Sequence, residues 1–223
     1  MDSNHRTRIK ICCISSIEEA QMAIHYGADA IGLVGKMPSG PGMINEALIL
    51  QIVQIIPPPI NSFLLTSETS AKEIIKQYDK VQTNTIQIVD RLSDVTYADI
   101  KQALPHTKLV QVIHVVDEAS IIEAISVSEK VDAILLDSGN PKAKVKTLGG
   151  TGKTHNWELS KQIRIAVDVP LFLAGGLNVN NVREAIDMVQ PFGVDLCGGV
   201  RTNGKLDEEK LNLFIKNVYH ERT

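Results

Sequence analysis

Arg8 to Gly35 reads RIKICCISSIEEAQMAIHYGADAIGLVG. Arg8 to Ile14 is an apolar, isoleucine-rich run that reads as a strand. Ser15 and Ser16 stand three residues ahead of Glu18 and Glu19, two overlapping Ser-x-x-Glu sets that start a helix, and Gly27 ends it. Asp29 to Gly35 is a second strand. Strand, helix and strand in so short a span form one crossover unit, and the rest of the chain repeats it.

After a Gly/Pro-rich loop, Lys36 to Ile44, Asn45 caps a helix that runs through Ile56 and is stopped by Pro57, Pro58 and Pro59. Asn61 to Thr66, Thr85 to Val89, Lys108 to Val115 and Asp132 to Asp137 read as the third to sixth strands. Helices over about Ser70 to Tyr78, Val95 to Leu104 and Glu118 to Glu129 separate them. A helix from near Trp157 leads to a seventh strand, Val169 to Ala174, closed by Gly175 and Gly176. A helix over about Val179 to Val189 leads to an eighth, Gly193 to Cys197, closed by Gly198 and Gly199. Asp207 opens a last amphipathic helix whose buried stripe is Leu211, Phe214, Ile215 and Val218. Alternating strands and helices imply a parallel sheet covered by helices. Eight such units favour closure into an α/β (β/α)8 TIM barrel over an open doubly wound sheet. No linker or low-complexity tract interrupts the pattern, so residues 1–223 are expected to form a single domain.

The formal charge of -3 gives no electrostatic case for nucleic acid or an anionic membrane. The start MDSNHRTRIK is polar, and no apolar run approaches the roughly 18 residues a membrane span needs, so a cytoplasmic protein is expected. Cys12, Cys13 and Cys197 are an odd number without metal-ligand spacing. The histidines form no i, i+4 ligand pair around a Glu, so no metal site is expected either. His155 alone lies beside a candidate site loop and reads as a surface group.

That loop is Leu148 to Trp157, LGGTGKTHNW. A Walker A loop needs Gly, four residues, then Gly-Lys-Ser/Thr; Gly152, Lys153 and Thr154 fit the end, but Thr147 stands where the first Gly belongs. A nucleotide triphosphatase is therefore disfavoured. Gly149, Gly150 and Gly152 leave a backbone whose N–H groups could cradle an anionic oxygen, or simply a flexible connector. In (β/α)8 barrels the site lies at the carboxyl ends of the strands, with phosphate at the loops after strands seven and eight. The pairs Gly175-Gly176 and Gly198-Gly199 stand at those two places and read as phosphate contacts in preference to mere tight turns.

Two polar residues at strand ends could carry chemistry, Cys12 and Asp137. Strand parity puts Lys10 and Cys12 on one face and Ile9, Ile11 and Cys13 on the other. The apolar set suits helix contact, so Cys12 is expected to face the barrel axis and Cys13 the helices. Asp137 shares its face with Leu135 and Ala133. Two such groups at one mouth could divide general acid and general base work. The plainer alternatives are a buried small hydrophobe for the Cys and a turn cap for the Asp.

Lys10-Ile-Cys12, Gly27-Ala-Asp29-Ala-Ile-Gly32, Leu136-Asp137, Gly149-Gly-Thr-Gly152 with Trp157, Ala174-Gly-Gly-Leu-Asn178 with Asn181-Val182, and Val194-Asp195 with Gly199-Val200 follow one another along the chain. Together and in this order they resemble the phosphoribosylanthranilate isomerase family, (β/α)8 enzymes of tryptophan biosynthesis. The resemblance implies an Amadori rearrangement of a phosphoribosyl substrate to a 1-deoxyribulose ketone, without a cofactor. It casts Asp137 as the acid that protonates the ribose ring oxygen and Cys12 as the base that removes the proton from the second ribose carbon. Phosphate would rest on Gly149, Gly150, Gly152, Gly175, Gly176, Gly198 and Gly199, while Asp195 would orient the ribose.

Departures from the family pattern gather at the other end of the substrate. The usual Arg after the second strand, which meets the anthranilate carboxylate, is Gly42 here; Gln-x-His-Gly after the fourth strand appears as Gln87-Ile-Val-Asp90; and Arg201 stands where Glu is usual. Asn156 replaces a common Asp, and Cys197 and Gly198 replace two small hydroxyl residues. Gln87, Lys36 and Arg201 are the candidates for positioning the substrate, Lys36 or Arg201 by taking over the carboxylate contact. Another phosphosugar enzyme with a different amine, or a non-catalytic phosphate-ligand binder, are the competing readings. A monomer or homodimer is expected; the apolar stretch Leu48 to Ile60 could cover the barrel or a second subunit. Cys12 and Cys197, on neighbouring strands of a closed barrel, could stand near enough to oxidise.

Overall fold

The computed structural model describes residues 6–38, 40–139 and 154–219. Eight parallel strands lie side by side in chain order: β1 (Arg8–Ile11), β2 (Ala30–Val34), β3 (Asn61–Thr66), β4 (Thr85–Ile88), β5 (Lys108–His114), β6 (Ala133–Asp137), β7 (Leu171–Leu173) and β8 (Gly193–Leu196). β8 pairs back onto β1, so the sheet closes into a (β/α)8 TIM barrel. Around it run α1 (Ile17–Tyr26), α2 (Glu46–Ile55), α3 (Ala71–Val81), α4 (Asp94–Ala103), α5 (Ala119–Ser128), α6 (Trp157–Ala166), α7 (Val182–Val189) and α8 (Glu208–Tyr219).

The helices begin where short polar side chains can satisfy the free N–H groups of a first turn. Of the two Ser-x-x-Glu sets, the second is used: Ser16 Oγ accepts from the Glu19 N–H at 3.2 Å, and Glu19 Oε2 accepts from the Ser15 N–H at 2.9 Å. Asn45, Ser70 and Ser93 cap α2, α3 and α4 in the same way. α3 runs on to Val81, past the expected Tyr78, because Gln82 supplies a left-handed cap at φ 52°. α7 starts at Val182, not near Val179, because Asn178 and Asn181 hold the preceding residues in a turn.

Period-two alternation divides the strand side chains between two cores. Ile9, Ile11, Ile31, Leu33, Leu64, Ile86, Leu109, Ile134, Leu136, Leu171 and Val194 face the helices. Ala30, Phe63, Val110, Ala133, Leu135 and Phe172 fill the barrel, where the Phe63 and Phe172 rings meet edge to face at 5.9 Å. Each large apolar side chain so buried contributes roughly 1.5–3 kcal/mol. The stretch Leu48 to Ile60 serves this packing: Ile49 and Ile52 are fully buried, and Leu48, Val53 and Ile56 pack against the same core.

After β8 comes a segment the sequence reading leaves out. Gly198–Val200 makes one 3₁₀ turn, and β9 (Arg201–Thr202) and β10 (Lys205–Leu206) pair antiparallel. Asn203 and Gly204 both take positive φ, 50° and 80°, as a two-residue hairpin turn requires, and Asn-Gly was the available signal. Among the described residues no helix is long and apolar enough to cross a membrane.

Candidate active site

The carboxyl ends of the strands surround a cavity of about 360 Å³. Its wall includes Cys12, Asp137, Gln87, Asp195, Gly175, Gly176, Gly198 and Gly199, so these sequence-derived candidates are brought together. Lys36, exposed, and Arg201 are not on that wall. Gly149, Gly150 and Gly152 lie outside the described residues.

β1 ends at Ile11, and Cys12 continues its register, its N–H donating to the Leu196 carbonyl at 2.8 Å. The parity expected of Cys13 fails. Its φ is 61°, a left-handed turn that ends the alternation, so Cys13 joins Cys12 in the barrel-interior cluster instead of facing the helices with Ile9 and Ile11. Burial and the neighbouring thiols of Cys12 and Cys197 raise its pKa, the hydrogen bonds to those thiols contributing most.

Below Cys12, Lys10 is fully buried and donates from Nζ to Asp195 Oδ1 at 2.9 Å. The two residues are register partners across β1 and β8, which is why the pair forms inside the barrel. Burial disfavours the ammonium, but Asp195 more than compensates, and the Lys10 pKa is raised. Gly32 makes room for this arrangement: a Cβ there would lie 2.8 Å from Cys12 Sγ and 3.1 Å from Lys10 Nζ.

Asp137, the last residue of β6, accepts from the Ser138 N–H at 2.7 Å through Oδ1. Burial raises its pKa, against the Ser138 hydrogen bond and the nearby His114, which lower it. His114 is its register partner at the end of β5. No sequence motif marks that histidine; its position at a strand end beside Asp137 was the only signal. Burial lowers its pKa, so the imidazole is held toward its neutral form. His155 is likewise not a surface group. It is half-buried, bonds Ser160 Oγ at 2.7 Å and is pushed by burial down to about 4.

Both glycine pairs line the cavity, yet packing accounts for part of their composition. A Cβ on Gly175, at φ 81°, would lie 2.8 Å from the Ser138 N and 2.9 Å from His155 Nδ1, and one on Gly199 would overlap the Leu177 carbonyl. Gly198 meets nothing within 4 Å, so its bare backbone faces open space. The Gly176 carbonyl accepts from Asn178 Nδ2 at 3.2 Å and Asn181 Nδ2 at 3.0 Å, which fixes the turn after β7. The apolar Met37, Pro41, Leu65 and Val89 also line the cavity. Gln87 also lines the cavity, with its Oε1 buried and making no hydrogen bond to the protein.

Arg201 is committed elsewhere. Its guanidinium forks onto Glu19 at 2.8 and 3.0 Å and donates to the Cys13 carbonyl at 2.6 Å, while Glu19 Oε1 also accepts from the Leu206 N–H at 2.9 Å. This ties α1 and the Cys12-Cys13 segment to the hairpin after β8. Gly42, where an arginine was expected of the family, has φ 75°, and a Cβ there would lie 2.5 Å from Cys13 Cβ and 2.9 Å from Cys13 Cα. The left-handed φ and the contacts with Cys13, its backbone included, close the position to a side chain.

Residues 9–217 match the family model for N-(5'-phosphoribosyl)anthranilate (PRA) isomerase. The N-(5'-phosphoribosyl)anthranilate isomerase of Haloarcula marismortui is 32% identical over 214 residues, 95% of this chain and 96% of that protein. The crystal structure of phosphoribosyl anthranilate isomerase from Thermotoga maritima superposes with a TM-score of 0.82 at 31% identity, covering 95% of this chain and 98% of that one. A phosphoribosyl anthranilate isomerase in complex with reduced 1-(o-carboxyphenylamino)-1-deoxyribulose 5-phosphate matches with a TM-score of 0.79 at 29% identity, over 95% and 98% of the two chains.

Proposed function

The chain belongs to the N-(5'-phosphoribosyl)anthranilate isomerase family, and on that premise we propose that it rearranges N-(5'-phosphoribosyl)anthranilate to 1-(2-carboxyphenylamino)-1-deoxyribulose 5-phosphate through Asp137 and Cys12. The observation that carries the assignment is that both line one cavity together with the two glycine loops. Asp137, its pKa raised by burial, keeps its proton to higher pH than an ordinary carboxyl and so can give it to the ribose ring oxygen as the ring opens to a Schiff base. Cys12, in the cavity wall at the end of β1, removes the proton from the second ribose carbon, and the enolamine tautomerises to the ketone. The substrate phosphate rests against Gly175, Gly176, Gly198 and Gly199, and Asp195, held by Lys10, orients the ribose hydroxyls. Gln87 lines the same cavity and helps position the substrate, and the aromatic ring lies against Met37, Pro41, Leu65 and Val89.

Neither Lys36 nor Arg201 is assigned the carboxylate contact, since one is exposed outside the wall and the other is held by Glu19. The closed position at Gly42 favours a second reading, in which the same chemistry acts on a phosphoribosyl amine lacking that carboxylate. A cytoplasmic monomer or homodimer is the form proposed; a Thermotoga maritima relative is described as dimeric. The test is the loss of phosphoribosylanthranilate fluorescence on adding the protein, with Cys12→Ala and Asp137→Asn as controls. Turnover abolished by both substitutions supports the assignment. If turnover is absent and ribose phosphate stabilises the protein as well as the reduced product analogue does, the second reading replaces the first.

A further inference from the structure

Arg201 joins two of the loops that line the cavity. It follows Gly198-Gly199 on the first strand of the hairpin after β8, and its side chain, only 8% exposed, crosses to the loop after β1. There Nη2 donates to the Cys13 carbonyl at 2.6 Å and to the Cys12 carbonyl at 3.4 Å. Both carbonyls belong to the turn that sets Cys13 at φ 61°, a backbone conformation that a residue with a side chain keeps only where its surroundings hold it. The guanidinium is itself held. Glu19, in the first turn of α1, takes its fork at 2.8 and 3.0 Å and also accepts from the Ser15 and Leu206 N–H groups, each at 2.9 Å. Cys12 is thereby fixed from both sides: its N–H donates to the Leu196 carbonyl of β8 at 2.8 Å, and Arg201 holds the peptides that follow it.

We propose that Arg201, braced by Glu19, is the positioning residue of the Cys12 thiol, setting its distance from the glycines after β8. The catalytic consequence rests on the isomerase reading; the placement of Cys12 does not. A planar guanidinium suits the task, because one fork can satisfy the Glu19 carboxylate while Nη2 still reaches the carbonyls, which a point-like ammonium does not reproduce. Removing a proton from carbon demands that the sulfur stand at close approach, and a misplacement of about 1 Å can cost about 100-fold in rate. Phosphate binding by the glycine loops does not depend on that placement, so the loss belongs in kcat and not in KM.

Arg201→Lys and Arg201→Met are compared with the parent well below their melting temperatures. With phosphoribosylanthranilate as substrate, kcat is expected to fall about 10- to 100-fold in both, with KM within about threefold of the parent. Arg201→Lys keeps the charge beside Glu19, so it should recover stability without recovering kcat. A second readout needs no turnover. Cys12 and Cys13 are 5% and 6% exposed, and loosening the turn should speed their alkylation by iodoacetamide, located by mass spectrometry, by about tenfold or more in both variants. A parent without turnover removes the isomerase reading and leaves the alkylation rates to decide the positioning role. Unchanged alkylation of Cys12 and Cys13, a loss carried by KM at unchanged kcat, or full recovery of kcat by Arg201→Lys would each overturn the proposal.

Discussion

Gly42→Ala should destabilise the fold by about 2–5 kcal/mol, and Cys13→Gly should remove part of that loss. Two costs combine. An L side chain at the left-handed φ of 75° carries a penalty of about 1–2 kcal/mol. The new methyl would also stand 2.5 Å from Cys13 Cβ, well inside the roughly 3.5–4.0 Å of a relaxed carbon contact, and such overpacking costs about 1–3 kcal/mol. The loop cannot easily swing away, because Met43 bridges to Val34 and the Ile44 N–H donates to the Val34 carbonyl at 3.0 Å. In the Cys13→Gly background the Cβ contact is gone, but the Cα at 2.9 Å and the left-handed backbone remain, so the loss is only partly relieved. Urea unfolding of the four proteins of the cycle should give a favourable coupling of about 1–2 kcal/mol. Additivity within about 0.5 kcal/mol would refute the steric account. The same pair bears on any attempt to restore the family's arginine: Gly42→Arg alone should lose stability without gaining turnover, and Cys13→Gly should recover part of that stability.

Lys10→Met leaves the Asp195 carboxylate buried without its partner and should cost about 3–5 kcal/mol by urea unfolding; a loss below about 1 kcal/mol would show the carboxylate to be solvated or protonated in the variant. For Asp137 the folded state holds its proton more tightly than the unfolded chain, so its contribution to stability falls as pH rises from 3.8 through the raised value. Asp137→Asn should therefore gain stability relative to the parent at neutral pH compared with acid pH, read from thermal melts, and an equal difference at both would contradict this. His155 has the opposite sign: the folded state resists its protonation, so stability is lost as pH falls from 6.5 toward about 4. His155→Gln should flatten the melting temperature across that window, and an unchanged slope would place the titration elsewhere.

The barrel was legible because each strand carries its own periodicity and most helices their own caps, as Ser16, Asn45 and Ser70 illustrate. Cys12 and Asp137 were legible as strand-end polar groups, and Asp195 as part of a family motif. His114 was not, because its significance is a neighbour on the next strand. The hairpin after β8 was signalled by Asn203-Gly204, but two-residue strands are too short for a periodic pattern to show.

By itself the sequence determined the number and order of the βα units and which glycine loops stand at the strand ends, because these depend on residues within a few positions of one another. Only the tertiary structure decided that Lys10 neutralises Asp195, 185 positions away, and that Arg201 serves Glu19 rather than a substrate. It also decided that a single positive φ turns Cys13 inward, closing the space beside Gly42 and completing a group of three thiols. Those outcomes follow from the register between strands far apart in the chain and from one backbone angle, and neither is written in local periodicity.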